Sequence, residues 1–262
     1  MDIAAVLDLY DRQLRRDVRL TEPGVVVERT ERATRVVGTG REPHDNCLLW
    51  FAPPPPAEAD ARIAAEIAAF AGRGRGFEWK HHSHDRPADL AERLVAHGLE
   101  PQEPETLVVL DLATAVPPRM PAGLRIERVE DPARIEADIE AVRLAVYPDE
   151  TPWLGAAVAR EVAAAPEAVQ VMVAYDGDRP VSIGRINFHP GTDFASLWSG
   201  ATLAAYRGRG LYQTLVARRA EEARRRGYRF LTVDASENSR PILERLGFRA
   251  VCTTTPHLFR PG

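Results

Sequence analysis

The sequence predicts an α/β (α+β) protein built as two tandem domains, in each of which helices flank one sheet. Three observations predict it. Hydrophobic periodicity runs twice through a similar order of strands and helices, a proline-rich break separates the two runs, and a local echo links them. The break is Ala115 to Gly123, where Pro117, Pro118 and Pro121 interrupt the patterning as a linker would, and it divides the chain into residues 1–118 and 119–262. The echo sets Arg86-Pro-Ala-Asp-Leu-Ala-Glu-Arg-Leu, followed by Gly98-Leu99, against Arg240-Pro-Ile-Leu-Glu-Arg-Leu-Gly247-Phe248.

In the first run the pattern predicts a helix from Ile3 to Val18 and strands at Val25 to Arg29, Thr34 to Gly38 and Cys47 to Ala52. A helix from Glu58 to Ala71, a strand at Phe77 to His82, a helix from Pro87 to His97 and a strand at Thr106 to Leu112 complete it. The second run opens with a short strand, Leu124 to Val129, and helices at Ala133 to Val146 and Gly155 to Ala164. Strands Val169 to Tyr175 and Pro180 to Phe188 flank Asp176-Gly177-Asp178, a hairpin signal, and Phe194 to Leu203 is a third strand. The next helix starts near Leu211, with Leu211, Leu215, Val216, Ala220 and Ala223 on one stripe; Glu221 and Glu222 stand four residues before Arg225 and Arg226, and Gly227 ends it. A strand at Tyr228 to Val233, a short helix from Arg240 to Leu246 stopped by Gly247, and a β-rich run from Phe248 to Phe259 close the chain.

Composition restricts the function classes. A net charge of −4 lacks the basic footprint of a general nucleic-acid binder, so no nucleic-acid partner is expected. Met1 to Arg16 alternate apolar and charged residues without the apolar core of a signal peptide or a membrane span; no membrane association and a cytoplasmic location are the expectation. Cys47 and Cys252 are far apart and each lies in or beside a strand, which suits reduced, mostly buried thiols.

The most informative stretch is Tyr206-Arg207-Gly208-Arg209-Gly210-Leu211-Tyr212, a glycine turn between a strand and a helix. Such a turn offers free backbone N–H groups at a helix N-terminus, where the macrodipole also favours an anion. The first run has Pro53, Pro54, Pro55 and Pro56 in the equivalent place, and proline has no N–H to give. Arg73-Gly-Arg-Gly76 follows a helix and precedes a strand, so it is a helix C-terminal turn. No Gly-x-x-x-x-Gly-Lys-Ser/Thr occurs, and the turn lacks the third glycine and the βαβ setting of a dinucleotide fingerprint.

Arg207-x-x-Gly210 between strand and helix resembles the Gln/Arg-x-x-Gly-x-Gly/Ala signature of the GNAT superfamily of acyl-CoA-dependent N-acyltransferases. The similarity runs in order from Leu124 to Phe259, including the strand edge Gly200-Ala-Thr-Leu-Ala-Ala205 and Leu246-Gly247-Phe248. The first run resembles a degenerate unit of the same kind, without a cofactor motif. The resemblance implies two tandem GNAT-like domains, each a mixed, mostly antiparallel sheet flanked by helices, with acetyl-CoA or another short acyl-CoA as cofactor. It also implies a small-molecule or peptide amine as acceptor, while monomer and homodimer both stay open.

The resemblance further implies cofactor contacts from Gly200, Ala201, Thr202 and Leu203 to the pantetheine arm, and from Arg207, Gly208, Arg209, Gly210, Leu211 and Tyr212 to the pyrophosphate. The N–H of Thr202 or a neighbour would polarise the thioester carbonyl, and Ser236 stands where the family has an asparagine that can touch the cofactor. Two positions depart from the pattern. Leu243 replaces the tyrosine that in many members protonates the departing thiolate, and Tyr212 stands where glycine or alanine is usual. Loss of that tyrosine also fits a non-catalytic acyl-CoA sensor or interaction module.

Acyl transfer needs a neutral amine, hence a base. Asp149 and Glu150, between the first two helices of the second run, are the candidates; a solvated loop carboxylate is the plain alternative, and His189 at a strand end ranks behind both. Ser236 and Ser239 suit helix caps. His82 and His84 would share one strand face, but no further ligand stands at metal spacing, so no metal is expected. Arg218 to Arg229, interleaved with Glu221 and Glu222, reads as a solvated helix face, and Trp153 and Trp198 as packing or cleft wall.

Overall fold

The structure is a computed structural model, and it describes residues 1–20, 22, 24–115, 117, 121–149 and 151–261. The expected boundary at 118/119 and the candidate Glu150 lie outside the described residues. Elements of the first run are α1 (Ile3–Tyr10), β1 (Val26–Arg29), β2 (Ala33–Val37), β3 (Asn46–Phe51), α2 (Ala59–Ala71), β4 (Phe77–His82), α3 (Leu90–Ala96), β5 (Glu100–Pro101) and β6 (Glu105–Asp111). Those of the second are β7 (Arg125–Val129), α4 (Pro132–Val146), α5 (Leu154–Ala164), β8 (Val169–Asp176), β9 (Arg179–Phe188), β10 (Phe194–Thr202), α6 (Leu211–Arg225), β11 (Phe230–Ala235), α7 (Arg240–Arg245) and β12 (Arg249–Phe259).

All the described strands belong to one sheet in the order β1-β2-β3-β4-β12-β6-β11-β10-β9-β8-β7, with β5 added beside β12. The pairing is antiparallel except at β3–β4 and β10–β11, and these two parallel pairs sit at matching places in the two runs. The last strand of each run is lodged in the other's territory. β6 leaves the first run and lies between β11 and β12, whereas β12 lies between β4 and β6. The apolar faces of β6 are therefore buried by both runs: Val108 and Leu110 pack with α6 residues Val216 and Ala220, while Leu107 and Val109 pack under Val6 and Tyr10 of α1.

The first helix departs from expectation. It is α-helical only to Tyr10 and continues as a π-helical segment over Asp11–Arg16. Arg15 is the physical reason to look there: its buried guanidinium meets Asp85 at 2.8 Å and Asp11 at 2.7 Å and donates to the Leu49 carbonyl. A widened turn aims a side chain that regular helical spacing would turn elsewhere. Gly72 caps α2 and Gly74 follows with φ +62°, so the Arg73–Gly76 stretch is the helix-ending turn the sequence suggests. Cys47 and Cys252 are free thiols. Among the described residues no helix is long and apolar enough to cross a membrane.

Candidate active site

The cleft arises where two parallel strands part. β10 and β11 are in register only at Phe194–Phe230, Ala195–Leu231 and Ser196–Thr232. Beyond that point β10 bulges away from its other neighbour too, with a register shift between Trp198 and Ala201, and Ser199 takes a left-handed φ of 54°. A bulge bends its strand and re-aims its side chains, so the two strands separate and leave a wedge between them.

The wedge holds two adjoining cavities. One, of about 300 Å³, reaches from Leu197, Trp198 and Ser199 to Val233, Asp234 and Glu105. The other, of about 460 Å³, runs past Ala201, Thr202, Arg207, Asn238 and Ile242 toward the glycine turn. Tyr147, Gly200, Tyr212, Ser236 and Ser239 line both, and so mark where they meet. The edge of β10 facing the second cavity is open. Leu203 N–H bonds to the Val181 carbonyl on the β9 side, and because successive N–H groups of a strand point to opposite sides, Thr202 N–H points into the wedge.

The turn at the wedge mouth has the geometry of an anion seat. Gly208 and Gly210 have φ of +74° and +79°, values that glycine adopts without penalty. Gly210 is the N-cap of α6 without any side-chain cap, and the Thr214 N–H to Gly210 carbonyl bond opens the helical ladder. The amides ahead of Thr214 thus have no partner within the helix and lie at the positive end of its dipole. Arg207 donates to the Thr202 carbonyl and Arg209 stacks over the Tyr206 ring at 5.0 Å, leaving both cations beside the turn. Tyr206 is in turn tied to Asp176 at 2.6 Å. Leu203 and Leu211 bury their side chains in the core, so their backbone is what they present to the turn.

Tyr212 does not shun the cavity. Its ring lies against Gly200, where a Cβ would meet Tyr212 Cε2 at 2.8 Å, and burial holds its hydroxyl above the usual phenol range, opposed by the Arg219 charge and a hydrogen bond with Ser239. Behind the bulge lies Arg219, wholly buried, with its guanidinium on Gly184; it donates to the Arg185 and Leu215 carbonyls, and burial pushes it down to about 10. Leu243 is fully buried in the core between α7 and the sheet.

The acidic end of the wedge is not legible in the sequence as a site. Lys80 of β4 reaches across β12 and β6 to Asp234 of β11 at 2.5 Å, and Thr254 donates to the same carboxylate at 3.2 Å. Glu105, at the start of β6, shares that sheet face; burial pushes its carboxyl up to about 7, Asp234 adding to the effect and Lys80 opposing it. Asp149 is exposed and is not among the residues lining either cavity. His189 accepts or donates at Ser196 Oγ, 2.8 Å away, and burial pushes it down to about 4. Trp198 also donates to that hydroxyl and is 44% exposed, so it is a cleft wall; Trp153 packs instead on His44 of the first run. His82 is buried and His84 bonds to Asp11 at 2.7 Å. A lone acid ending the apolar strand at Asp234, and a lysine inside the strand at 77–82, are the signals the sequence offers, but only topology makes them neighbours.

Comparison with known proteins fits this geometry. Residues 133–248 match the sequence pattern of the acetyltransferase (GNAT) family. No curated protein matches the chain. Among solved structures, a GCN5-related N-acetyltransferase from Kribbella flavida superposes with a TM-score of 0.65 at 20% identity, covering 99% of this chain and 94% of its own. A tandem GNAT protein from the clavulanic acid biosynthesis pathway gives 0.62 at 14%, covering 99% and 95%. A conserved protein of unknown function from Staphylococcus epidermidis gives 0.65 at 13%, covering 92% and 95%. Residues 133–248 thus carry the pattern of an acetyltransferase (GNAT) domain, and the fold of the chain from end to end is similar to that of GNAT structures, a tandem one among them.

Proposed function

We propose that the protein is an acetyl-CoA-dependent N-acyltransferase that passes an acyl group directly from the thioester to the amine of a small-molecule or peptide acceptor. The observation that carries this reading is the wedge between β10 and β11 opening beside an uncapped helix N-terminus. Residues 1–118 act as a unit without a cofactor seat and residues 119–262 as the cofactor-binding unit.

In this reading the amides from Gly208 to Tyr212 receive the pyrophosphate, with Arg207 and Arg209 adding charge. The β10 edge from Gly200 to Leu203 pairs with the pantetheine amides as an added strand would. Thr202 N–H, aimed into the wedge, polarises the thioester carbonyl, and Ser236 lines the path at the junction of the cavities. Tyr212 supplies the leaving thiolate's proton in place of the tyrosine missing at Leu243: its phenol sits where the cavities meet and is held protonated by burial.

The fit is tested by calorimetry with acetyl-CoA. Gly210→Asp places a side chain and a negative charge at the pyrophosphate and should abolish binding; unchanged binding removes the reading. The buried Leu243 favours one other reading, a non-catalytic acyl-CoA sensor. Single-turnover mixing with a pool of amines separates the two, since a sensor binds acetyl-CoA yet never releases coenzyme A thiol above the buffer control.

A further inference from the structure

We infer that Glu105, carried into the cleft by a strand of the N-terminal run, is the general base that takes the proton from the acceptor's ammonium, so that both runs build one active site. The inference rests on the acyltransferase reading above. It starts from topology: β6 lies beside β11, with Thr106 opposite Ala235 and Leu107 opposite Asp234. Alternation along the strand then puts Glu105 on the face of Asp234, at the end of the wedge away from the glycine turn. That is where an acceptor can approach a thioester whose pantetheine arm fills the other cavity.

The other ionisable groups of this cavity are ill suited to accept a proton. Asp234 is engaged by Lys80 and Thr254. Tyr147, Tyr212 and Arg219 line the cavity but act as donors at neutral pH. Among the described residues the Glu105 carboxylate has no hydrogen-bond or ion-pair partner. Its charge is governed by burial first, then by Asp234, Lys80 and Glu78 on the neighbouring strands. Tyr10 of α1 and Cys252 of β12, on the same side of the sheet, are both held protonated by burial. A carboxyl near 7 is matched to proton transfer at neutral pH, whereas an ordinary surface carboxylate is too weak a base.

The step balances. The ammonium gives one proton to the Glu105 carboxylate, and the freed nitrogen lone pair forms the C–N bond with the thioester carbon. The C–S bond breaks with its electron pair on sulfur, the second proton lost by nitrogen ends on that sulfur through the Tyr212 hydroxyl, and Glu105 returns its own proton to water.

The test is Glu105→Gln, which keeps size and removes the base. Propylamine, protonated at pH 7, and hydroxylamine, largely neutral there, serve as acceptor probes at high concentration with acetyl-CoA. The variant should lose about 10²- to 10⁴-fold in transfer to propylamine but far less in transfer to hydroxylamine, with acetyl-CoA affinity by calorimetry unchanged. Equal loss with both probes, or none with propylamine, overturns the proposal; failure of the unaltered protein to bind acetyl-CoA instead overturns the acyltransferase reading. A third measurement needs no turnover. In protein labelled with ¹³C-glutamate, the carboxyl signal absent from Glu105→Gln should titrate near 7, and a midpoint in the ordinary carboxylate range overturns the proposal whether or not either probe is taken.

Discussion

Tyr212 rests its ring on Gly200, so closely that a Cβ at position 200 would lie 2.8 Å from Tyr212 Cε2. One residue is the β10 bulge and the other the first turn of α6, so this contact sets the width of the passage between the two cavities. Gly200→Ala forces the ring aside. Overpacking of this kind costs about 1–3 kcal/mol, read by urea unfolding, and acetyl-CoA affinity should fall with it. Adding Tyr212→Leu should recover most of the stability, whereas adding Tyr212→Phe should not, because the clashing atom stays. Additive effects in the Leu double variant would show that the contact does not set the packing.

Tyr212→Phe tests the proton donor separately. The phenol hydroxyl is the only part removed, and the ring's packing on Gly200 is kept. Turnover should fall by about 10²-fold or more while acetyl-CoA affinity holds. Loss of affinity without loss of turnover would assign Tyr212 to binding alone.

The contrast between these residues and Glu105 shows what a sequence can carry. The strand, glycine turn and helix at 194–225 are local, so hydrophobic periodicity and the two glycines at 208 and 210 are enough to reveal them. Tyr212 is visible too, but not its direction: position N2 of a helix can turn toward sheet or solvent, and the Gly200 bulge decides. Glu105, Asp234 and Lys80 are invisible as a group. Glu105 stands 25 residues from Lys80 and 129 from Asp234 along the chain. The three meet because β6 and β12 exchange places in the sheet, a long-range pairing that no window of sequence encodes. The π-helical segment at 11–16 follows the same logic, since Arg15 is held by Asp85 and the Leu49 carbonyl.

Lys80 and Asp234 tie that exchange together. Their side chains are 13% and 12% exposed and meet across two intervening strands, so neither charge has water enough to stand alone. Lys80→Met leaves Asp234 beside Glu105 and Glu78 without its cation, and breaking a buried pair in this way costs about 3–5 kcal/mol. Replacing both, with Lys80→Met and Asp234→Leu, should be much milder, since an apolar pair of similar volume avoids the desolvation of both ions. The same single change has a second readout. Lys80 holds the Glu105 carboxyl down against burial and Asp234, so without it the ¹³C midpoint of Glu105 must move above its value in the unaltered protein. A stability loss below about 1 kcal/mol would match a solvated surface pair, and with an unmoved Glu105 midpoint it would mean that the N-terminal run does not set the electrostatics of the cleft.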